Sequence, residues 1–144
     1  MRNALSAITF MIILPAAAAS ATHEVKMLTR GESGSMVYEP AFLQLNPGDK
    51  VRFVATQPSH NVASIPEIWP EDAAQVKAPI NAEIEITFDT PGLYGIKCSP
   101  HYTMGMVMLI AVAPVALADL TVPATLPPMA RDRLTGIVRQ MQPE

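Results

Sequence analysis

Apolar and polar positions alternate along much of residues 25–112 with the period of two that a half-buried β-strand imposes. Val25, Met27 and Thr29 take one side while Lys26, Leu28 and Arg30 take the other. Residues 41–45 form a further short segment, ended by the turn signal Asn46-Pro47-Gly48-Asp49. Val51, Phe53 and Ala55 then alternate with Lys50, Arg52 and Val54, and Ile84, Ile86 and Phe88 with Glu83, Glu85 and Thr87. Asp89-Thr90-Pro91-Gly92 predicts another turn, followed by a strand over residues 93–98. Residues 107–112 are continuously apolar, the pattern of a central strand covered on both faces. Several short strands at this spacing predict an all-β sandwich.

Residues 64–79 break the pattern, with Pro66, Pro70 and Pro79 and the acidic pair Glu71 and Asp72. They predict a loop with a helical turn near residues 71–76, in which Trp69 packs rather than acts. Past residue 113 the period changes. Pro114 can open a short helix through Leu120, because proline is tolerated in the first helical turn. Pro123, Pro127 and Pro128 interrupt, and a second helix follows. Its Leu134, Ile137, Val138 and Met141 share one stripe and predict packing onto the sandwich, while Arg131, Asp132, Arg133 and Arg139 take other faces.

The start of the chain predicts export. Arg2 precedes an apolar stretch over residues 4–14, and Pro15 and four alanines lead to small residues suited to cleavage after Ser20 or Ala21. The stretch is shorter than the ~20 residues needed to span a bilayer. Residues 1–20 are therefore expected to be a signal peptide, with no membrane insertion after its removal. Residues 21–144 are expected to be one domain whose helical extension begins at about 114. Without Arg2 the mature chain has nine Lys and Arg against thirteen Asp and Glu, a formal charge of −4. That balance, with no basic run, speaks against a nucleic-acid partner.

One cysteine, Cys98, stands alone in a chain expected to reach an oxidising compartment. It cannot form an internal disulfide, so it must be buried or bound. Its neighbours favour binding. Residues 98–106 read CSPHYTMGM and place His101 and Met106 within one loop of Cys98, and His60 lies far upstream behind Gln57-Pro58-Ser59. Thiolate and thioether are soft donors suited to Cu(I), and imidazole suits both copper oxidation states. Zinc competes less well, because a thioether is a poor zinc ligand. Met104 and Met106 are both within reach of such a site, and reach alone leaves the choice open.

With these residues the chain resembles the cupredoxins, the type 1 blue copper proteins. The resemblance covers nearly all of the mature chain. It is carried by Met36-Val37-Tyr38-Glu39-Pro40, Asn46-Pro47-Gly48-Asp49, His60-Asn61-Val62, Pro91-Gly92-Leu93-Tyr94 and Lys97-Cys98-Ser99-Pro100-His101-Tyr102-Thr103-Met104-Gly105-Met106. It implies a cupredoxin-like Greek-key β-sandwich, here with two short C-terminal helices, and one copper ion held by His60, Cys98, His101 and Met106. Met104 then belongs to the surrounding apolar shell, and the Asn61 backbone N–H faces the Cys98 sulfur. It also implies a periplasmic electron carrier, not an enzyme. Its partners would be redox proteins: a copper nitrite reductase or other periplasmic reductase, and a c-type cytochrome. By position Arg30, Lys77 and Lys97 match a basic docking rim, whereas Pro58 stands where many relatives have lysine.

Two other readings stay open on the residues alone. A periplasmic copper storage or delivery protein would favour Cu(I), exchange it readily and lack the blue colour. Separately, cleavage after Ser20 would leave Ala21-Thr22-His23 at the terminus, a sequence able to wrap Cu(II) or Ni(II) in nitrogen donors.

Overall fold

The computed structural model describes residues 19–115 and 117–142. Eight strands are found among them: β1 (Thr22–Gly31), β2 (Gly34–Glu39), β3 (Phe42–Leu45), β4 (Asp49–Val54), β5 (Ala63–Ser64), β6 (Ile84–Phe88), β7 (Gly92–Lys97) and β8 (Val107–Val112). One sheet runs β2-β1-β4-β6 and the other β3-β8-β7-β5. β1 pairs with β4, and β3 with β8, in parallel; the other pairings are antiparallel. The expected sandwich is therefore present. Most of the expected export signal lies outside the described residues, and no helix among those described is long and apolar enough to cross a membrane.

The inward residues of both sheets meet in one core. Val25, Met27, Val51 and Phe53 from the first sheet pack with Tyr94, Ile96, Met108 and Ile110 from the second. The continuous apolar run of β8 has a specific cause. Met108 and Ile110 turn into this core, whereas Val107 and Leu109 turn outward into a second cluster with Leu134, Ile137 and Val138. Those three belong to α1 (Pro128–Met141), whose stripe covers β8 as its period predicts. Met141, counted in that stripe, is instead 45 % exposed at the helix end.

Three local expectations need correction. The first C-terminal helix, expected from Pro114 through Leu120, is reduced to a 3-10 turn at Leu117–Asp119. The segment before Pro123 is too short for helical hydrogen bonds to repay the cost of nucleation. The helical turn expected near 71–76 is absent, and a 3-10 turn forms earlier, at Pro66–Ile68, with proline in its first turn. The Val76 N–H, which such a turn would direct to a carbonyl within it, donates instead to the Ser64 hydroxyl at 2.8 Å. Finally, β2 and β5 lie where no strand was expected.

The turn at residues 46–49 closes as its composition predicts. Gly48 takes φ 93, and the Asp49 carboxylate accepts the backbone N–H of Asn46 at 2.9 Å and of Ala21 at 2.8 Å. It thereby joins the β3–β4 turn to the start of β1.

Candidate metal centre

At one end of the sandwich three donors converge. The Nδ1 atoms of His60 and His101 are 3.2 Å apart, and they lie 3.8 and 3.5 Å from the Cys98 Sγ. An ion bonded to two ring nitrogens and a sulfur at about 2.0–2.3 Å, with angles of about 100–120°, requires donor separations of this size. The cluster contains no carboxylate. Its donors are two imidazoles and one thiol, which fits copper by softness.

Each donor is delivered by its own element. Cys98 ends β7, where the strand gives way to the 3-10 turn Ser99–Met104 that carries His101. The loop is folded back on itself by backbone bonds: Cys98 N–H to Met106 O at 3.0 Å, Met106 N–H to His101 O at 3.1 Å, and His101 N–H to Cys98 O at 3.2 Å. Gly105 closes it at φ 80, a left-handed conformation that suits glycine. His60 comes from the β4–β5 connection. His60, Cys98 and Met106 are fully buried, and His101 is half-buried.

Burial also separates the two methionines. Met106 is fully enclosed and belongs to the same cluster as Cys98, whereas Met104 is 45 % exposed.

The surroundings prepare the donors. Burial lowers the His60 pKa, and the neighbouring His101 lowers it further, so the ring stays neutral with a lone pair to give. Its Nε2 lies 3.0 Å from the Thr29 hydroxyl, whose oxygen can accept an Nε2 proton and so leave Nδ1 free for the cluster. Burial raises the Cys98 thiol pKa, while the backbone N–H groups of Asn61 and His101 pull it down again.

The Asn61 side chain does more than sequence reasoning assigned to it. It accepts the Ser99 N–H at 2.7 Å and donates to the Ser99 hydroxyl at 3.2 Å and the Ala78 carbonyl at 3.0 Å. Tyr38, fully buried, donates its hydroxyl to the Asn61 carbonyl at 2.6 Å. Thr29 and Tyr38 were the residues missed. Only the core-facing phase of Thr29 in its strand hinted at a role.

The basic residues singled out from sequence all lie at this end. Arg30 follows Thr29, and Lys97 precedes Cys98 with its Nζ 4.7 Å from the centre of the Tyr102 ring. Lys77 and Lys97 both pair with Ala63, three residues after His60. Pro58 is exposed two residues before His60. Four large apolar side chains stand exposed among the described residues: Ile80, Met104, Met129 and Met141. Three of them belong to this end, since Asn81, beside Ile80, donates to the His60 carbonyl, Met104 is in the donor loop, and Met129 abuts Gly105.

His23 lies elsewhere. Its Nε2 is 3.6 Å from Asp49, and Thr22 and His23 are laddered onto β4. Wrapping an ion with their amides would require peeling the start of β1 from the sheet.

This arrangement has close parallels among known proteins. The family profile described as copper binding proteins, plastocyanin/azurin family, matches residues 25–113. A pseudoazurin from Paracoccus pantotrophus is 47% identical over 133 residues, covering 91% of each chain. One from Methylorubrum extorquens is 45% identical over 106 residues, covering 74% of this chain and 70% of the relative. Among solved structures, a pseudoazurin from Methylobacterium extorquens superimposes with a TM-score of 0.78 at 37% identity, over 84% of this chain and 99% of that one.

Proposed function

Because the chain belongs to the plastocyanin/azurin family of copper-binding proteins, and within it to the pseudoazurins, we propose that His60, Cys98, His101 and Met106 hold its copper ion. The protein is a blue copper electron carrier, not an enzyme. The observation that carries the ligand assignment is the convergence of two Nδ1 atoms on one buried thiol, with buried Met106 bonded through its backbone to the two loop donors.

Copper, when bound, supplies a one-electron couple. The protein's part is to hold the donors still. Backbone bonds across the loop and the Asn61 bridge fix Cys98 and His101, and Thr29 orients His60. Little rearrangement is then needed between the two oxidation states. His101 alone among the four is not fully buried, so its outer edge is the route by which electrons leave. Exposed Ile80, Met104 and Met129 lie at the same end and offer an apolar face suited to transient docking. Arg30, Lys77 and Lys97 form a rim that sets association rate and its salt dependence.

We place the protein in the periplasm on the strength of the export-like start. Its redox partners are then a c-type cytochrome and a copper nitrite reductase or another periplasmic reductase. The buried donors favour this carrier over a delivery protein, whose ion would need an open path of exchange.

The test is the visible and electron-spin-resonance spectrum of the copper-loaded protein beside Cys98→Ser. Intense blue absorption in the wild type, lost in C98S, is the expected result. A colourless wild-type protein that binds copper loosely overturns the carrier.

A further inference from the structure

Arg133 lies outside the donor cluster, yet its contacts lead into it; the role inferred for it rests on the copper reading of that cluster. Arg133 of α1 is half-buried and reaches across to β2, 97 residues earlier. Its Nη1 donates to the Met36 carbonyl and its Nη2 to the Ser35 carbonyl at 3.1 Å. Met36 is a non-glycine residue at φ 52. That conformation is strained for a residue with a Cβ and persists only where surrounding contacts impose it. The fork of a guanidinium across two successive carbonyls is such a contact.

Met36 leads to the metal centre. In the β1–β2 ladder Leu28 pairs with Val37 and Arg30 with Ser35, and the pairing is interrupted between them, where Thr29 stands level with Met36. Thr29 is the residue whose hydroxyl lies 3.0 Å from His60 Nε2. Its backbone is fixed from the other side by Gln57, whose Oε1 accepts the N–H groups of Thr29 at 2.7 Å and Arg30 at 3.0 Å. The position of the Thr29 hydroxyl therefore depends on two clamps, one from Gln57 and one that runs through Met36 to Arg133.

We infer that Arg133 is a positioning residue for His60: through Met36 and Thr29 it fixes the ring of that donor, so that α1 tunes the metal centre from outside it. A second contact supports this role for the helix. A Cβ on Gly105 would lie 2.9 Å from the Met129 carbonyl, so α1 also abuts the loop that carries His101 and Met106. The helix grips both sides of the site.

The experiment compares Arg133→Met, which keeps bulk and removes the donors, with Thr29→Val and the double variant. Solvent exchange of the His60 Nε2 proton is followed by NMR in the Cu(I) protein. The ratio of the copper–thiolate absorption bands is read in the Cu(II) protein. In R133M the exchange should quicken about tenfold, the effect of weakening one hydrogen bond, and the band ratio should move. In T29V both should change at least as much, and the double variant should add nothing to T29V. Wild-type exchange and band ratio in folded R133M, or effects that add fully in the double variant, overturn the inference. If R133M does not fold, Arg133→Lys carries the test: an intermediate effect supports the inference and none overturns it. A wild-type protein that never turns blue defeats the copper reading instead, and His60 ring-proton exchange in the metal-free protein still tests the Arg133 link.

Discussion

Asn61 and Ser99 are joined by two hydrogen bonds, the Asn61 carboxamide accepting the Ser99 N–H at 2.7 Å and donating to its hydroxyl at 3.2 Å. Asn61 follows one donor and Ser99 follows another. The pair therefore spans the gap between two segments that sequence separates by 38 residues.

Removing that bridge has a definite direction. Asn61→Leu keeps the volume but leaves the part-buried Ser99 N–H and the buried Ala78 carbonyl without their partner. Each buried orphan costs about 1–3 kcal/mol, so N61L should destabilise the metal-free protein by about 2–4 kcal/mol. Urea unfolding measures this. A loss under about 1 kcal/mol would mean that water replaces the carboxamide.

Met104 and Met106 should behave oppositely. Met106→Ala opens a cavity beside Cys98 and should cost the metal-free protein about 2–5 kcal/mol. It should also change the absorption of the copper form. Met104 is 45 % exposed, so Met104→Ala should stay within about 0.5 kcal/mol of wild type and leave the absorption alone. Equal spectral effects from the two would contradict the assignment of Met106.

Asp49 governs part of the acid response. The N–H groups of Asn46 and then Ala21 hold its carboxyl below the usual aspartate range. A carboxyl with a lowered folded-state pKa stabilises the fold above its unfolded value of about 3.9, and that contribution fades as pH falls through the folded value. Asp49→Ala should therefore be less stable than wild type at neutral pH, with the gap closing below about pH 4. Thermal unfolding from pH 7 to pH 3 checks it. A gap independent of pH would assign the effect to lost packing rather than to the charge.

Much of the candidate site was legible because its chemistry is local. Cys98, His101 and Met106 sit in one loop, and an isolated thiol calls for an explanation before any fold is known. β4, β6 and β8 were legible for a similar reason, since burial writes itself into a period of two or into an unbroken apolar run. The residues that orient the donors were not. Thr29 reaches His60, and Arg133 reaches Met36, only after distant segments pair, and neither residue type announces such a role. β2 was hidden by its Gly34-Ser35 start and its dependence on β1. The first C-terminal helix failed because a favourable opening proline cannot offset a segment too short to propagate.

Two glycines permit the sharpest test of the packing, because one chemical change should act with opposite signs. Gly105 stands at φ 80, and an added Cβ would meet the Met129 carbonyl at 2.9 Å and its carbon at 3.1 Å. Backbone atoms of a packed helix cannot step aside as a side-chain tip can. Gly105→Ala thus combines a left-handed conformation, costing about 1–2 kcal/mol, with a displacement of α1 from the donor loop. A total loss of about 2–4 kcal/mol is expected, together with altered copper absorption, because Met106 is the next residue. Gly136 lies within α1, and nothing stands within 4 Å of its would-be Cβ. Gly136→Ala gains helix propensity and removes freedom from the unfolded chain, for a stabilisation of about 0.5–1 kcal/mol. Chemical denaturation of both variants reads the two signs. Stabilisation by G105A would show that the helix does not bear on the loop, and the grip of α1 on the metal centre would fall with it.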